Sequence, residues 1–164
     1  MIGKEAERML IMGSKAPILI FAWLICFLIS NSPLVAQSRD RNNPTPLLSP
    51  EIKGFAGADS SVYWYKLTAG PGELVMHMSV GCWGSRSCGV SARFVLWDKN
   101  MQEVMDESLI TETYFGEGKT QSLRLQSKQD FLLSIGQGSV RGKPGTYRIL
   151  FKGAIDLPPE KEQR

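Results

Sequence analysis

The strongest constraint on the fold is a two-residue hydrophobic period that recurs along most of the chain after residue 53. Apolar and polar side chains alternate in the segments SVYWYKL, LVMHMSV, ARFVLW, FLLSI and TYRILFKG. Such alternation places every second side chain on one face, as in a strand with one buried face. The predicted core-facing residues are Tyr63, Tyr65, Leu67, Leu74, Met76, Met78, Val80, Ala92, Phe94, Leu96, Phe131, Leu133, Ile135, Tyr147, Ile149 and Phe151.

Glycine, proline and other turn-forming residues fall between these segments. They occur at 69–73 (AGPGE), 98–100 (DKN), 115–119 (FGEGK) and 142–145 (GKPG), and such clusters predict turns. The segment from Met101 to Thr113 is the least regular, and its pattern fits either a strand, a turn and a second strand or a single helical turn. We interpret it as strands because the preceding WDKN is typical of a hairpin turn. Short strands without a helical period predict an all-β chain, an antiparallel β-sandwich or jelly roll of about eight strands.

The N-terminus has the features of a secretory signal peptide. Three basic residues precede an almost unbroken apolar run at 16–29, and small residues follow, the pattern of an export signal. We predict cleavage after Ala36, with Ser38 as the alternative position, and a protein exported to the periplasm or the extracellular space. The other interpretation is an uncleaved anchor, because the apolar segment approaches the roughly 20 residues that span a bilayer.

The sequence predicts four parts of the chain, and its net charge argues against nucleic acid as a partner. The predicted parts are a signal peptide at 1–36, a proline-containing linker or loosely attached arm at 37–50, a β-sandwich domain at 51–156 and a polar tail at 157–164. The net charge of +3 falls to about +2 after cleavage, since the leader holds three basic and two acidic residues. Without a concentrated basic patch, nucleic-acid binding is not expected.

Two of the three cysteines lie close together in the sequence GCWGSRSCG. Once Cys26 leaves with the signal, Cys82 and Cys88 remain as an even pair, which in an exported chain predicts a disulfide. The bond would stabilise the fold by roughly 2 kcal/mol, less any strain. A zinc site needs two further ligands and a catalytic thiol needs a histidine, and the only histidine is His77.

The short loop between these cysteines carries the candidate ligand-binding residues Trp83 and Arg86. A tryptophan held there beside a cation suits stacking on a sugar or on a partner side chain. The equal alternative is that the ring of Trp83 folds back over the core. We predict no catalytic residues, no cofactor and no metal site, since no serine–histidine–carboxylate set is evident.

Several core and turn positions resemble the bacterial pre-peptidase C-terminal domain. The matching residues are Trp64, Tyr65 and Leu67, then Ala69 with Gly70 or Gly72, then Leu96, Asp98 and Asn100, and finally Gly145 and Tyr147. The resemblance covers most of residues 58–155 and implies a secreted jelly-roll-like β-sandwich, often appended to peptidases. Ser91 and Arg93 replace acidic residues that the family often carries, which weakens the case for a calcium site. Asp59, Asp98 and Asp106 are candidates for it by residue type alone.

These observations favour a non-catalytic exported binding or accessory module. Its expected ligand is a polysaccharide, an extracellular matrix component, or a secreted or envelope protein. The alternative is a structural or assembly protein of the cell envelope, tethered by an uncleaved N-terminal anchor. A membrane contact is expected only in that second case.

Overall fold

The computed structural model describes residues 37–56, 60–82, 89–112, 116–139 and 144–159, and all regular structure in these ranges is β-strand. None of the described residues forms a helix of the length and apolarity that a membrane crossing requires. The strands are β1 (Thr45–Pro46), β2 (Glu51–Ala56), β3 (Val62–Cys82), β4 (Val90–Trp97), β5 (Glu103–Thr111), β6 (Glu117–Leu125), β7 (Gln129–Ser139) and β8 (Gly145–Asp156).

The long strand β3 belongs to two layers of the fold. Its first half pairs with β1 and β7, and its second half pairs with β8 and β6. One layer, sheet 1, therefore has the order β1-β3-β7-β4-β5, and the other, sheet 2, has the order β2-β8-β3-β6. All pairings are antiparallel except that of β1 with β3. The predicted all-β antiparallel sandwich is confirmed.

The bend in β3 corrects one prediction about turns. The segment 69–73 was expected to separate two strands, but the structure continues β3 through it. Gly70 and Gly72 have φ values of 97° and 127°, which glycine adopts without the steric penalty of a Cβ atom. The pairing with β8 shifts between Ala69 and Leu74. The glycines thus carry the strand from sheet 1 into sheet 2 without ending its pairing.

The two sheets enclose the core that the alternation predicted. Except for Tyr63, which is partly buried against the cluster, the predicted core-facing residues are at most 5 % exposed. Phe94 of sheet 1 and Tyr147 of sheet 2 meet edge to face with ring centroids 6.3 Å apart. Burial is the main force that holds such layers together. The less regular segment after Met101 is strand, as interpreted, but Glu103–Thr111 form the single strand β5 and not two strands with a turn between them.

Residues 37–50 pack along sheet 1. Trp64 N donates to Ser38 O at 2.8 Å and Leu47 N to Lys66 O at 2.8 Å. The Leu47 side chain is buried in the core cluster. The segment is therefore an arm held against β3 and not a loose one, while the division of the chain at residues 36, 50 and 156 stays a prediction. Residues 1–36 and 160–164 lie outside the described ranges.

Polar side chains link the two sheets where β5 and β6 meet. Lys119 Nζ lies 2.8 Å from Glu107 Oε2, and Gln121 Nε2 donates to the same oxygen at 2.6 Å. The hydrogen bond from Lys119 is the main cause that lowers the pKa of the Glu107 carboxyl. The amide of Ile110 also donates to Glu117 Oε2 at 3.2 Å. These contacts tie sheet 1 to sheet 2 through side chains and not through a shared ladder.

Candidate functional site

The outer face of sheet 1 places side chains from β3, β7, β4 and β5 in rows across the strands. The register defines the rows Trp64–Ser134–Val95–Asp106, Val62–Gly136–Arg93–Ser108 and Gly138–Ser91–Ile110. Residues directly opposite on neighbouring strands have Cβ atoms about 5 Å apart. Residues far apart in sequence therefore form one continuous surface.

A groove of about 420 Å³ lies along the second and third of these rows. Gly136 and Gly138 form its floor. A Cβ atom at Gly136 would lie 3.9 Å from its nearest neighbour, the carbonyl oxygen of Arg93. Ser91, Ser108 and the exposed Ile110 also line it. Ligand sites in proteins commonly measure about 300–1,000 Å³, so the groove has room for a small ligand or a segment of a polymer.

Arg93, which lines the groove, forms a two-fold hydrogen-bonded ion pair with the neighbouring Asp106. Arg93 Nε donates to Asp106 Oδ1 at 2.9 Å, and Arg93 Nη2 donates to Oδ2 at 2.7 Å. These bonds are the main cause that lowers the pKa of Asp106 and raises the pKa of Arg93. Glu103 Oε1 lies 3.6 Å from Arg93 Nη2. Both partners therefore stay charged near neutral pH.

Trp64 and Trp97 lie on the same outer face of sheet 1, outside the residues that line the groove. Their ring centroids are 6.4 Å apart, and the rings are tilted by 36°. Trp97 Nε1 donates to Ser134 Oγ at 2.9 Å. Val95 and Ser134 lie between the two tryptophans on the sheet and are only 3 % and 5 % exposed. Both rings are half-buried, so they cover this part of the outer face.

The predicted ligand-binding loop falls mostly outside the described residues. Cys82 is the buried last residue of β3, whereas 83–88 are not described. The pairing of Cys82 with Cys88 and the ligand contacts of Trp83 and Arg86 therefore stay predictions. In the sequence, the loop ends at Cys88, three residues before the groove residue Ser91.

The aspartates named as calcium candidates do not meet in the described part of the fold. Asp98 Oδ1 accepts the amides of Asn100 and Gln102 at 2.8 and 2.9 Å, so it stabilises the predicted turn between β4 and β5. Asp106 is paired with Arg93, and Asp59 is outside the described ranges. Among the residues described, no group of three or more histidine, cysteine or acidic side chains has a geometry suited to a metal ion.

His77 lies on the outer face of sheet 2, as its strand position predicted. Its Nδ1 lies 2.6 Å from Thr120 Oγ1 on the neighbouring strand β6. Arg148 and Lys53 occupy the same face, and both pair with Glu51. This face is thus ordered by contacts between neighbouring strands, and the groove of sheet 1 is the better candidate site.

The sequence interpretation missed the groove. Its floor is visible in the sequence only as the alternation of Gly136 and Gly138 on one face of β7, and Arg93 was noted only as a departure from a family pattern. The missing information is the register, because the sequence does not state that Ser91 and Ser108 lie in rows beside those glycines. Alternating glycines in a strand were the one available signal, since they often mark a close approach by another group.

No protein-family model matches the chain, and no curated protein sequence matches it. The structure is similar to the pre-peptidase C-terminal domain of a collagenase from Bacillus anthracis, with a TM-score of 0.40 and 13 % identity over 67 % of this chain and 93 % of that one. It is also similar to a carbohydrate-binding module, Xyl-CBM35, solved in complex with a glucuronic acid containing disaccharide, with a TM-score of 0.39 and 10 % identity over 76 % and 87 % of the two chains. At these values we draw neither the fold nor the function from the similarities; the fold rests on the strand pairing.

Proposed function

We propose that this protein is a non-catalytic, exported binding module whose ligand lies in the groove on the outer face of sheet 1. The observation that carries the proposal is the groove itself, with a glycine floor, serine hydroxyls and a fixed Arg93–Asp106 pair on a regular sheet. Sites on strands are held in place by the ladder, which lowers the entropic cost of ordering them upon binding. The expected ligands are a polysaccharide, a matrix component, or a secreted or envelope protein.

The predicted loop residues extend this proposal. Trp83 and Arg86 precede the groove residue Ser91 by eight and five residues in the sequence, and in this proposal they contact the same ligand. A disulfide between Cys82 and Cys88 would hold that loop at low entropic cost. In this proposal the loop adds affinity, and the groove decides what binds.

The test is co-sedimentation of the protein, expressed as the full chain, with peptidoglycan, insoluble polysaccharides and collagen. Gly136→Val would fill the groove. Its Cβ would make only van der Waals contacts with Arg93, the nearest at 3.9 Å, and β-branched residues suit strands. We expect the wild type to be retained on at least one support and Gly136→Val to be released from it. Gly81→Val is the matched control, since Gly81 lies in sheet 2, where a Cβ would also have room.

Two results would contradict the proposal. One is retention of Gly136→Val at the wild-type level, which would move binding away from the groove. The other is no retention on any support. The intact mass of the exported protein reports cleavage in the same preparation: a chain beginning at Gln37 supports the predicted site after Ala36, and a full-length chain supports the anchored alternative.

A further inference from the structure

We infer that the groove binds a neutral glycan, and that Arg93 and Asp106 together recognise two adjacent hydroxyl groups of one sugar. This inference rests on the proposed function and names the class of ligand for that site. It draws on the charge of the groove, on the spare hydrogen-bonding capacity of the ion pair and on the apolar side chains beside it.

Charge disfavours anionic ligands at the end of the groove where Arg93 lies. Arg93 is the charged residue among those that line the groove. Asp106 and Glu103 lie against its guanidinium, so this cluster of three side chains sums to one negative charge. Val62, Ser91, Ser108 and Ile110, which also line or border it, are uncharged. A carboxylated or sulfated ligand would meet like charge at this cluster, and like-charge contacts disfavour a partner. A neutral ligand has no such cost.

The ion pair matches two neighbouring hydroxyls. A guanidinium only donates hydrogen bonds and an ionised carboxylate only accepts them, whereas a hydroxyl does both. Arg93 uses Nε and Nη2 on Asp106, and Nη2 also lies 3.6 Å from Glu103 Oε1. Its Nη1 makes no hydrogen bond within the described part of the chain, so its N–H groups are available to a ligand. One hydroxyl can therefore accept from Arg93 while the adjacent hydroxyl donates to Asp106. Each partner keeps the other charged and oriented, so the pair is ready before the ligand arrives.

Apolar side chains and small polar ones complete a surface suited to a sugar ring. Val62 and Ile110 are 41 % and 57 % exposed and lie on β3 and β5, at opposite sides of the glycine floor. The C–H faces of a sugar ring pack on such groups, while Ser91 and Ser108 supply further hydroxyl partners. Gly136 and Gly138 let the ring approach the backbone closely.

The first experiment compares polymers that differ only in charge. Dextran, pullulan and hydroxyethyl cellulose are paired with carboxymethyl dextran, carboxymethyl pullulan and carboxymethyl cellulose, and migration of the full chain is measured by affinity electrophoresis. We expect retardation by at least one neutral polymer and weaker retardation by its carboxymethylated partner. The carboxymethylated polymer could instead retard the wild type more strongly, and Gly136→Val could lose that retardation. This result would keep the groove as the binding site but overturn the inference that its ligand is neutral. Retardation by none of the polymers would overturn this inference. The proposed function would still stand in that case if the protein is retained on collagen in the co-sedimentation test.

The second experiment removes the adjacent hydroxyls. Periodate cleaves the bond between two carbons that carry neighbouring hydroxyls, and borohydride then reduces the resulting aldehydes to alcohols. We expect the treated polymer to lose retardation, although it remains neutral and keeps hydroxyl groups. Undiminished retardation by the treated polymer would overturn recognition of the hydroxyl pair.

The third experiment tests the two side chains. Losing a hydrogen bond to a charged group costs about 1.5–3 kcal/mol, so we expect Arg93→Lys and Asp106→Asn each to weaken binding by about 10-fold to 100-fold. Lys66→Gln and Asp130→Asn are the matched controls, because this pair lies on the same face with its atoms 3.2 Å apart. Full binding by both groove variants, or equal losses in the controls, would overturn the role of the pair.

Discussion

Gly54 is the position where one added methyl group should cost the most stability. It is paired with Tyr147 across β2 and β8, and a Cβ atom at Gly54 would lie 2.2 Å from Cζ and from Oη of that tyrosine. The ring of Tyr147 is 1 % exposed and packs on Phe94. Its hydroxyl donates to Gln37 Oε1 at 3.3 Å, and burial raises its pKa to about 12. The added methyl group in Gly54→Ala must therefore displace a buried ring that packs on Phe94 and is hydrogen-bonded to Gln37.

The expected loss follows from these contacts. Overpacking of a core costs about 1–3 kcal/mol, the hydrogen bond to Gln37 contributes about 1 kcal/mol, and the edge-to-face pair with Phe94 contributes about 0.5–1.5 kcal/mol. The ring loses part of the last two as it moves, so we expect a decrease of about 3 kcal/mol in the free energy of unfolding. With a urea m-value of about 2 kcal/mol/M, the midpoint falls by about 1.5 M.

The assay is urea unfolding followed by tryptophan fluorescence, with two comparisons. Gly81→Ala adds the same methyl group in sheet 2, where the nearest atom is 3.9 Å away, and we expect a change below about 0.5 kcal/mol. In the background of Tyr147→Leu, Gly54→Ala should cost less than about 1 kcal/mol, because the ring is gone. A midpoint for Gly54→Ala equal to that of Gly81→Ala would refute the packing argument.

Three further outcomes are expected, each measured by the same unfolding assay. Lys119→Met should lower the free energy of unfolding by about 0.5–1 kcal/mol at pH 7. The folded-state pKa of Glu107 is lowered, so the difference in stability between Lys119→Met and the wild type should shrink as the pH falls below about 4.3. A difference that stays constant with pH would contradict this. Trp97→Phe removes the donor to Ser134 and should cost about 1 kcal/mol, whereas no change would show that the bond is not stabilising. Gly153→Ala should cost at least about 2 kcal/mol, since φ is 79° and the Cβ would lie 2.0 Å from the carbonyl oxygen of Glu73; a smaller loss would mean that β8 relaxes there.

Local pattern predicted most of the strands and the core. In Leu74–Val80 every second residue is apolar, and those residues are the buried ones, because strand geometry sends neighbouring side chains to opposite faces. The pattern failed at Gly70 and Gly72, where glycine and proline indicate a turn. The same residues also permit a bend inside a strand, and only pairing with β8 on the far side decides between the two.

The candidate site could not be predicted in the same way. Arg93 and Asp106 are 13 residues apart, and their contact depends on how β4 and β5 are aligned. Gly136 and Gly138 come from β7, which lies beside β4 although it follows much later in the chain. Several alignments of these strands would bury the same apolar faces, so hydrophobic pattern alone does not select one.

The sequence by itself determined that this chain is all-β, which face of most strands is buried, and where the turn between β4 and β5 lies. Each of these depends on the order of neighbouring residues and on the steric preferences of the backbone. Only the tertiary structure decided that one strand serves both sheets, that residues 37–50 pack along it, and that glycines, serines and an ion pair from three strands form a groove. Those features depend on contacts between segments distant in sequence, whose relative positions are settled when the whole core packs.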